Sequence, residues 1–281
     1  MLFDKRVVIV TPAGRKRYLE LLIPQILNLR SVVDEYVLWV NTTNEIDIEY
    51  MKNVAQAYPD FIKLQWSKIP INGNLSIGHF FKECVDANTV YVRFDDDVVY
   101  IDTIEAFVNF IKFRIEHPEY FIIYANILNN SVISHIHQRL GNFNLDKGIA
   151  GYKADNPIGW GCPYFAHNLH TQILQMIEEK GNLKNYYIQN WKLFECERVS
   201  INCISWLGST FKEFNGQVTG IDEEEWLSVT YPKMNKCVNC VFGHFVCVHY
   251  AFCTQRSYLD TTNLLEKYDQ LMKKQVDKKR L

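Results

Sequence analysis

Tyr91-Val92-Arg93-Phe94-Asp95-Asp96-Asp97-Val98 is the stretch on which the reading of this chain turns. Val90–Phe94 reads as a short buried strand that runs straight into three adjacent aspartates. Neighbouring carboxylates repel one another, and folding alone does not require three of them there. In open α/β sheets, ligands collect outside the carboxyl ends of the strands. If extended geometry continues past Phe94, Asp95 and Asp97 point to the same side. Hard oxygen donors at that spacing suit a divalent ion, Mn2+ or Mg2+, that also binds substrate phosphates. The plainer alternative is an acidic turn capping the next helix. Against it stands Asp102, which with Glu105 resembles a capping box of its own.

Outward from this strand, helix and strand signals alternate. Val7–Val10 and Tyr36–Val40 read as buried strands, and Phe61–Trp66 and Phe121–Ala125 as further strands. Between them lie helical patterns over Tyr18–Leu29, with Pro24 inside, over Glu49–Ala57, and over Ile77–Val85 with Ser76 as N-cap. A further helix carries Ile104, Phe107, Val108, Ile111 and Ile115 on one face. Such alternation predicts an α/β fold built on an open, twisted, mostly parallel sheet flanked by helices. The second half is less regular: a turn-rich loop at 156–163, a helix His170–Glu179 closed by Gly181, strands Asn202–Leu207 and Cys240–Ala251, and a terminal helix Tyr258–Lys274. Residues 1–145 and 146–281 are expected to form two halves of one compact domain.

The composition of the 281 residues narrows the function. With 48% hydrophobic and 22% charged residues the chain is globular, and its net charge of −2 argues against nucleic acid as a partner. No apolar run approaches the roughly 18 residues of a membrane span. The N-terminus has neither the apolar region nor the cleavage site of a signal peptide. Eight scattered cysteines fit reduced thiols, so a cytoplasmic setting is expected.

An apolar strand ending in Asp-x-Asp after a Rossmann-like series resembles the nucleotide-sugar glycosyltransferases of the GT-A fold. The resemblance implies a UDP-sugar donor, a glycan acceptor and a Mn2+ or Mg2+ cofactor. It implies metal ligation by Asp95 and Asp97, completed by His249 near the end of the last strand. Thr11, Pro12, Ala13 and Arg15, in the segment after the first strand, become candidates for the nucleotide sugar. Asn41, Asp95, Asp96 and Arg256 are the others, and Arg17 is a second basic residue near the same loop. Gly220-Ile221-Asp222-Glu223-Glu224-Glu225-Trp226 falls where inverting members carry the acid that deprotonates the acceptor, which makes Asp222 and Glu223 the candidate bases. In size and style the chain is similar to chlorovirus-encoded transferases that decorate capsid glycans, which points to xylose as one transferred sugar.

Several features keep other readings open. A lone His in an apolar strand is more often a hydrogen-bonded core residue, and acids at a helix start are favoured by its dipole. Cys237, Cys240, His244, Cys247, His249 and Cys253 contain soft-metal donors, so a zinc-stabilised interaction domain is one rival. A sugar nucleotidyltransferase is the other; it needs a Gly-rich basic N-terminal loop, and Thr11–Arg17 has one glycine and three basic residues. Trp160, Trp191, Trp206, Trp226, Tyr164, Tyr186 and Tyr187 supply aromatic faces for an acceptor groove or for the core.

Overall fold

The computed structural model describes residues 1–143, 146, 148–195, 197–220 and 222–280, with side chains through Lys274. Leu145 at the expected boundary between halves, Cys196, Ile221 and the side chains of Lys278, Lys279 and Arg280 lie outside the described residues. Among the described residues the strands are β1 (Arg6–Ala13), β2 (Glu35–Val40), β3 (Ile62–Trp66), β4 (Thr89–Phe94), β5 (Val98–Ile101), β6 (Tyr120–Leu128), β7 (Trp191–Leu193), β8 (Cys203–Leu207) and β9 (Val238–His249). They form one sheet in the order β3-β2-β1-β4-β8-β6-β9-β5, with β7 paired to β9.

β3, β2, β1 and β4 run parallel, and β8 is antiparallel to both β4 and β6. β9 is parallel to β6, so β1, β2, β3, β4, β6 and β9 share one direction while β5, β7 and β8 oppose it. The mostly parallel sheet is thus interrupted by a reversed strand from the second half of the chain. Both halves contribute to one sheet.

Parallel strands covered on both faces need continuous apolar runs, and β1, β4 and β6 are buried along nearly their whole length. One apolar cluster joins these strands to the helices Lys16–Asn28 and Ile104–Glu116. A second gathers Val246, Val248 and Tyr250 against the helix Pro163–Lys180, whose left-handed C-cap is Gly181 (φ 71°).

Several local expectations are corrected. Val98–Ile101 is a strand, and Ser131–Arg139 is a helix that the pattern does not reveal. The helix after β2 starts earlier, at Glu45, because Asn44 caps the amides of Ile46 and Asp47. Ile77–Val85 is not one helix: Asn74–Ile77 is helical, Phe80–Glu83 is a 3-10 turn, and Ser76 lies inside the first of these. Thr103, not Asp102, caps the next helix; Asp102 instead accepts from Thr103 N, Val246 N and Tyr187 Oη. The helix at Pro163 begins about two turns before His170. The terminal helix is two, Cys253–Leu259 and Leu264–Arg280, so the basic tail continues a helical backbone instead of fraying.

The zinc rival fails on geometry. Cys240 and Cys247 lie on the same extended strand, on the order of 20 Å apart at about 3.3 Å per residue. Among the described residues no three His, Cys, Asp or Glu side chains converge to hold a metal.

Trp206 is fully buried, stacked on Tyr91 and Phe211 at centroid distances of 5.5 and 5.0 Å. It fastens β8 to β4, the junction of the two halves. Trp206→Ala is expected to lower unfolding free energy by about 3–5 kcal/mol, read from urea denaturation.

Candidate functional site

A cleft of about 710 Å³ opens at the carboxyl ends of β1, β4 and β9, and all three aspartates line it. The chain turns directly after β4, with Val98 N donating to Asp95 O at 3.2 Å. That turn sends β5 back along β9, pairs Val98 with His249, and so sets Asp97 beside the imidazole. The extended geometry stops at Phe94, and each aspartate meets its own set of basic partners, Arg15 being shared by Asp96 and Asp97.

Asp95 is anchored: Oδ1 accepts from Arg93 Nε (3.0 Å) and Nη2 (2.8 Å), and Oδ2 accepts from Asn202 Nδ2 at 3.1 Å. Asp96 accepts from Gly14 N at 3.1 Å and from Arg15 Nε and Nη2, which ties the loop after β1 to the end of β4. Asp97 Oδ2 is met by Arg15 Nη2 at 3.0 Å and Arg256 Nη2 at 3.1 Å. Its Oδ1 stands 3.6 Å from His249 Nε2. Burial works against the Asp97 carboxylate, yet Arg15, His249 and Arg256 together outweigh it and hold its pKa well below the ordinary value.

The tautomer of His249 follows from its other nitrogen. Nδ1 lies 3.0 Å from the Asn129 carbonyl, which can only accept, so Nδ1 carries a hydrogen. In a neutral ring the Nε2 lone pair then faces the Asp97 carboxylate, an arrangement that needs a cation between them. A proton supplies one, and Asp97 raises the imidazole pKa against the opposing effect of burial. A divalent ion is the other. One carboxylate and one imidazole, with phosphate oxygens completing the sphere, is a donor set that Mn2+ or Mg2+ accepts. Asp95 does not join this pair, because Arg93 and Asn202 hold it.

Facing this group is the acidic run. Asp222 caps the helical turn Glu223–Glu225, accepting from Glu225 N at 2.7 Å, and also pairs with Arg198 at 2.7 Å. Arg198 further binds Glu224 at 2.7 Å and Glu225 at 3.5 Å. Glu223 alone escapes it. Its side chain is buried, 3.4 Å from Arg93 Nη2, and burial, only partly offset by Arg93, raises its pKa above 4.5. The helix then passes through a π-helical segment at Trp226–Thr230, a distortion often found at functional sites.

Among the described residues, eleven side chains carry a buried polar atom with no hydrogen-bond partner. Four of them, Arg93 Nη1, Asp97 Oδ1, Glu223 Oε2 and Arg256 Nε, belong to residues of this one cleft. Buried polar groups are normally satisfied, so such a concentration marks where a ligand docks.

The other candidates divide. Pro12, Asn41 and Arg256 line the cleft, and Asn41 is oriented by Ser76 Oγ at 2.6 Å. Thr11 and Ala13 are fully buried in β1, outside the cleft lining, with Thr11 Oγ1 accepting from Tyr36 Oη at 3.1 Å. Arg17 pairs with Asp260 at 2.8 Å, away from the cleft lining. Of the aromatics, Trp160 reaches the cleft, while Trp206, Trp226 and Tyr186 are buried among other side chains. Sequence reasoning passes over Arg93, Arg198, Asn74 and Asn202. Arg93 had a signal, since a charge inside a buried strand requires a partner.

The sequence matches no protein-family model, and no curated protein matches it significantly. Solved structures do. A mannosyltransferase from Pyrobaculum calidifontis, in complex with GDP-mannose and Mn2+, aligns with 88% of this chain at TM-score 0.51 and 11% identity. The alignment spans 57% of that enzyme's length. GalNAc-T7 with UDP, GalNAc and Mn2+ aligns over 96% of this chain and 48% of its own, at TM-score 0.49 and 10% identity. A 4-diphosphocytidyl-2C-methyl-D-erythritol synthase from Anaerococcus prevotii covers 96% of this chain and 99% of its own, at TM-score 0.46 and 11% identity. The first of these carries the conclusion, which at such identity concerns architecture: together with the sheet order and the cleft at its carboxyl rim, the chain has the GT-A fold.

Proposed function

We propose that this protein is a glycosyltransferase that moves a sugar from a nucleotide sugar to a hydroxyl of a glycan. The observation that carries the reading is the division of one cleft into two chemistries. Asp97, His249, Arg15 and Arg256 form a site for a diphosphate and its counter-charge, and Glu223 stands alone as a base.

Pro12, Gly14 and Asn41 offer a wall for the nucleoside, and Arg15 and Arg256 carry positive charge to the phosphates. Asp97 and His249 would hold Mn2+ or Mg2+, which when bound neutralises charge gathering on the departing diphosphate. Glu223 takes the proton of the acceptor hydroxyl as its oxygen attacks the anomeric carbon. A base separate from the leaving group favours inversion. Asp222 is occupied by its cap and by Arg198, so Glu223 is the better of the two candidates. A nucleotidyltransferase has no need of this buried acid.

At a finer level, we put UDP-sugars first among donors and UDP-xylose first among these, on the resemblance to capsid-glycan transferases of large viruses. A cytoplasmic setting is our reading of eight cysteines scattered through a chain large enough to need no disulfide staples. No described helix is long and apolar enough to cross a membrane.

Two measurements test the reading. UDP-sugars with Mn2+ are expected to raise the melting temperature of the wild type and not of Asp97→Ala, with chelator abolishing the shift. Full stabilisation of that variant by donor and metal overturns the assignment. In the pH profile of kcat/KM, the base must be ionised, so activity falls as pH drops through a value above 4.5. Glu223→Gln is expected to lower kcat roughly 10²- to 10⁴-fold and to erase that acid limb.

A further inference from the structure

We infer that Arg93 and Glu223 together clamp the attacking group, and that the clamp accepts an alcohol and rejects an amine. The inference rests on the glycosyltransferase reading. Arg93 is 3% exposed, lines the cleft, and spends Nε and Nη2 on Asp95 and Glu223. Its Nη1 is buried with no partner, and so is Oε2 of the same Glu223 whose Oε1 meets Nη2 at 3.4 Å. One ion pair in the cleft wall therefore keeps an unused donor and an unused acceptor. Leaving either unpaired in a buried wall is unfavourable, and a ligand that pairs both relieves the cost.

A hydroxyl satisfies both. It accepts from Arg93 Nη1 through one lone pair, donates its proton to Glu223 Oε2, and keeps a second lone pair for the anomeric carbon. As the new C–O bond forms, the proton passes to Glu223 and the bond from the anomeric carbon to the phosphate oxygen breaks. That electron pair leaves with the nucleoside diphosphate. A neutral amine has a single lone pair and cannot both accept from Arg93 and attack. Arg93 thus touches the acceptor and selects its class, while Glu223 takes the proton.

The test starts with donor binding, measured by calorimetry with UDP-sugars and Mn2+. Absence of any donor binding by the wild type defeats the transferase reading, not the clamp alone. With a bound donor, transfer is followed by mass spectrometry to p-nitrophenyl glycosides, to methanol and to the neutral amine methoxyamine. The wild type is expected to glycosylate alcohols at least tenfold faster than the amine. Arg93→Lys is expected to raise the glycoside KM roughly 10- to 100-fold while the donor Kd stays within twofold. In Glu223→Gln, by contrast, kcat falls and KM stays within threefold. Comparable transfer to the amine, transfer to no alcohol from a bound donor, or an unchanged acceptor KM in a folded Arg93→Lys overturns the clamp. The alcohol–amine comparison uses the wild type and stands even if the Arg93 variant does not fold.

Discussion

Burying consecutive carboxylates is tolerable only because a basic side chain answers each of them. Arg93 answers Asp95, Arg15 answers Asp96, and Arg15, Arg256 and His249 surround Asp97. Without these partners, desolvation would drive the acids to neutrality or open the cleft to water. The partners come from the loop after β1, from β4 itself, from the end of β9 and from the helix beyond it. One electrostatic arrangement therefore fixes the relative positions of four segments distant in sequence. The same arrangement leaves single atoms unsatisfied at the point where a ligand approaches.

The acidic run is sorted by a different principle. Four neighbouring acids look equivalent as letters, yet three share Arg198 and one is turned inward to Arg93. The helix that begins there makes this possible, since its first turn spreads successive side chains around the axis. Asp222, half-buried, carries the helix cap and an ion pair with Arg198. Glu223 is buried, with Arg93 at one carboxylate oxygen and no partner at the other.

How much of this was legible depended on range. β1, β2, β4 and β6 are readable because two-sided burial writes each as a run of apolar, often β-branched residues, whereas β3, an edge strand, is buried only at its start. The aspartate cluster is readable because nothing local explains it. The helix Ser131–Arg139 is hidden because its buried side includes Ser134, His137 and Gln138, which blur the apolar period. β5 hides behind the acidic turn, with four residues too few to show alternation. Thr11 and Ala13 lie outside the cleft lining for a related reason: β1 runs three residues beyond its β-branched core, carrying them into the sheet. The choice between Asp222 and Glu223 rests on Arg198 and Arg93, partners that only the folded chain brings near.

The placement of β8 between β4 and β6 has a consequence for the chain as it is made. While residues up to about 200 have emerged from the ribosome, β4 and β6 each present an apolar edge with no strand to cover it. Only the arrival of Cys203–Leu207 seals that seam, and β9 brings His249 to the cleft later still. Stalled or truncated products expose an adhesive sheet edge and depend on chaperones to remain dispersed.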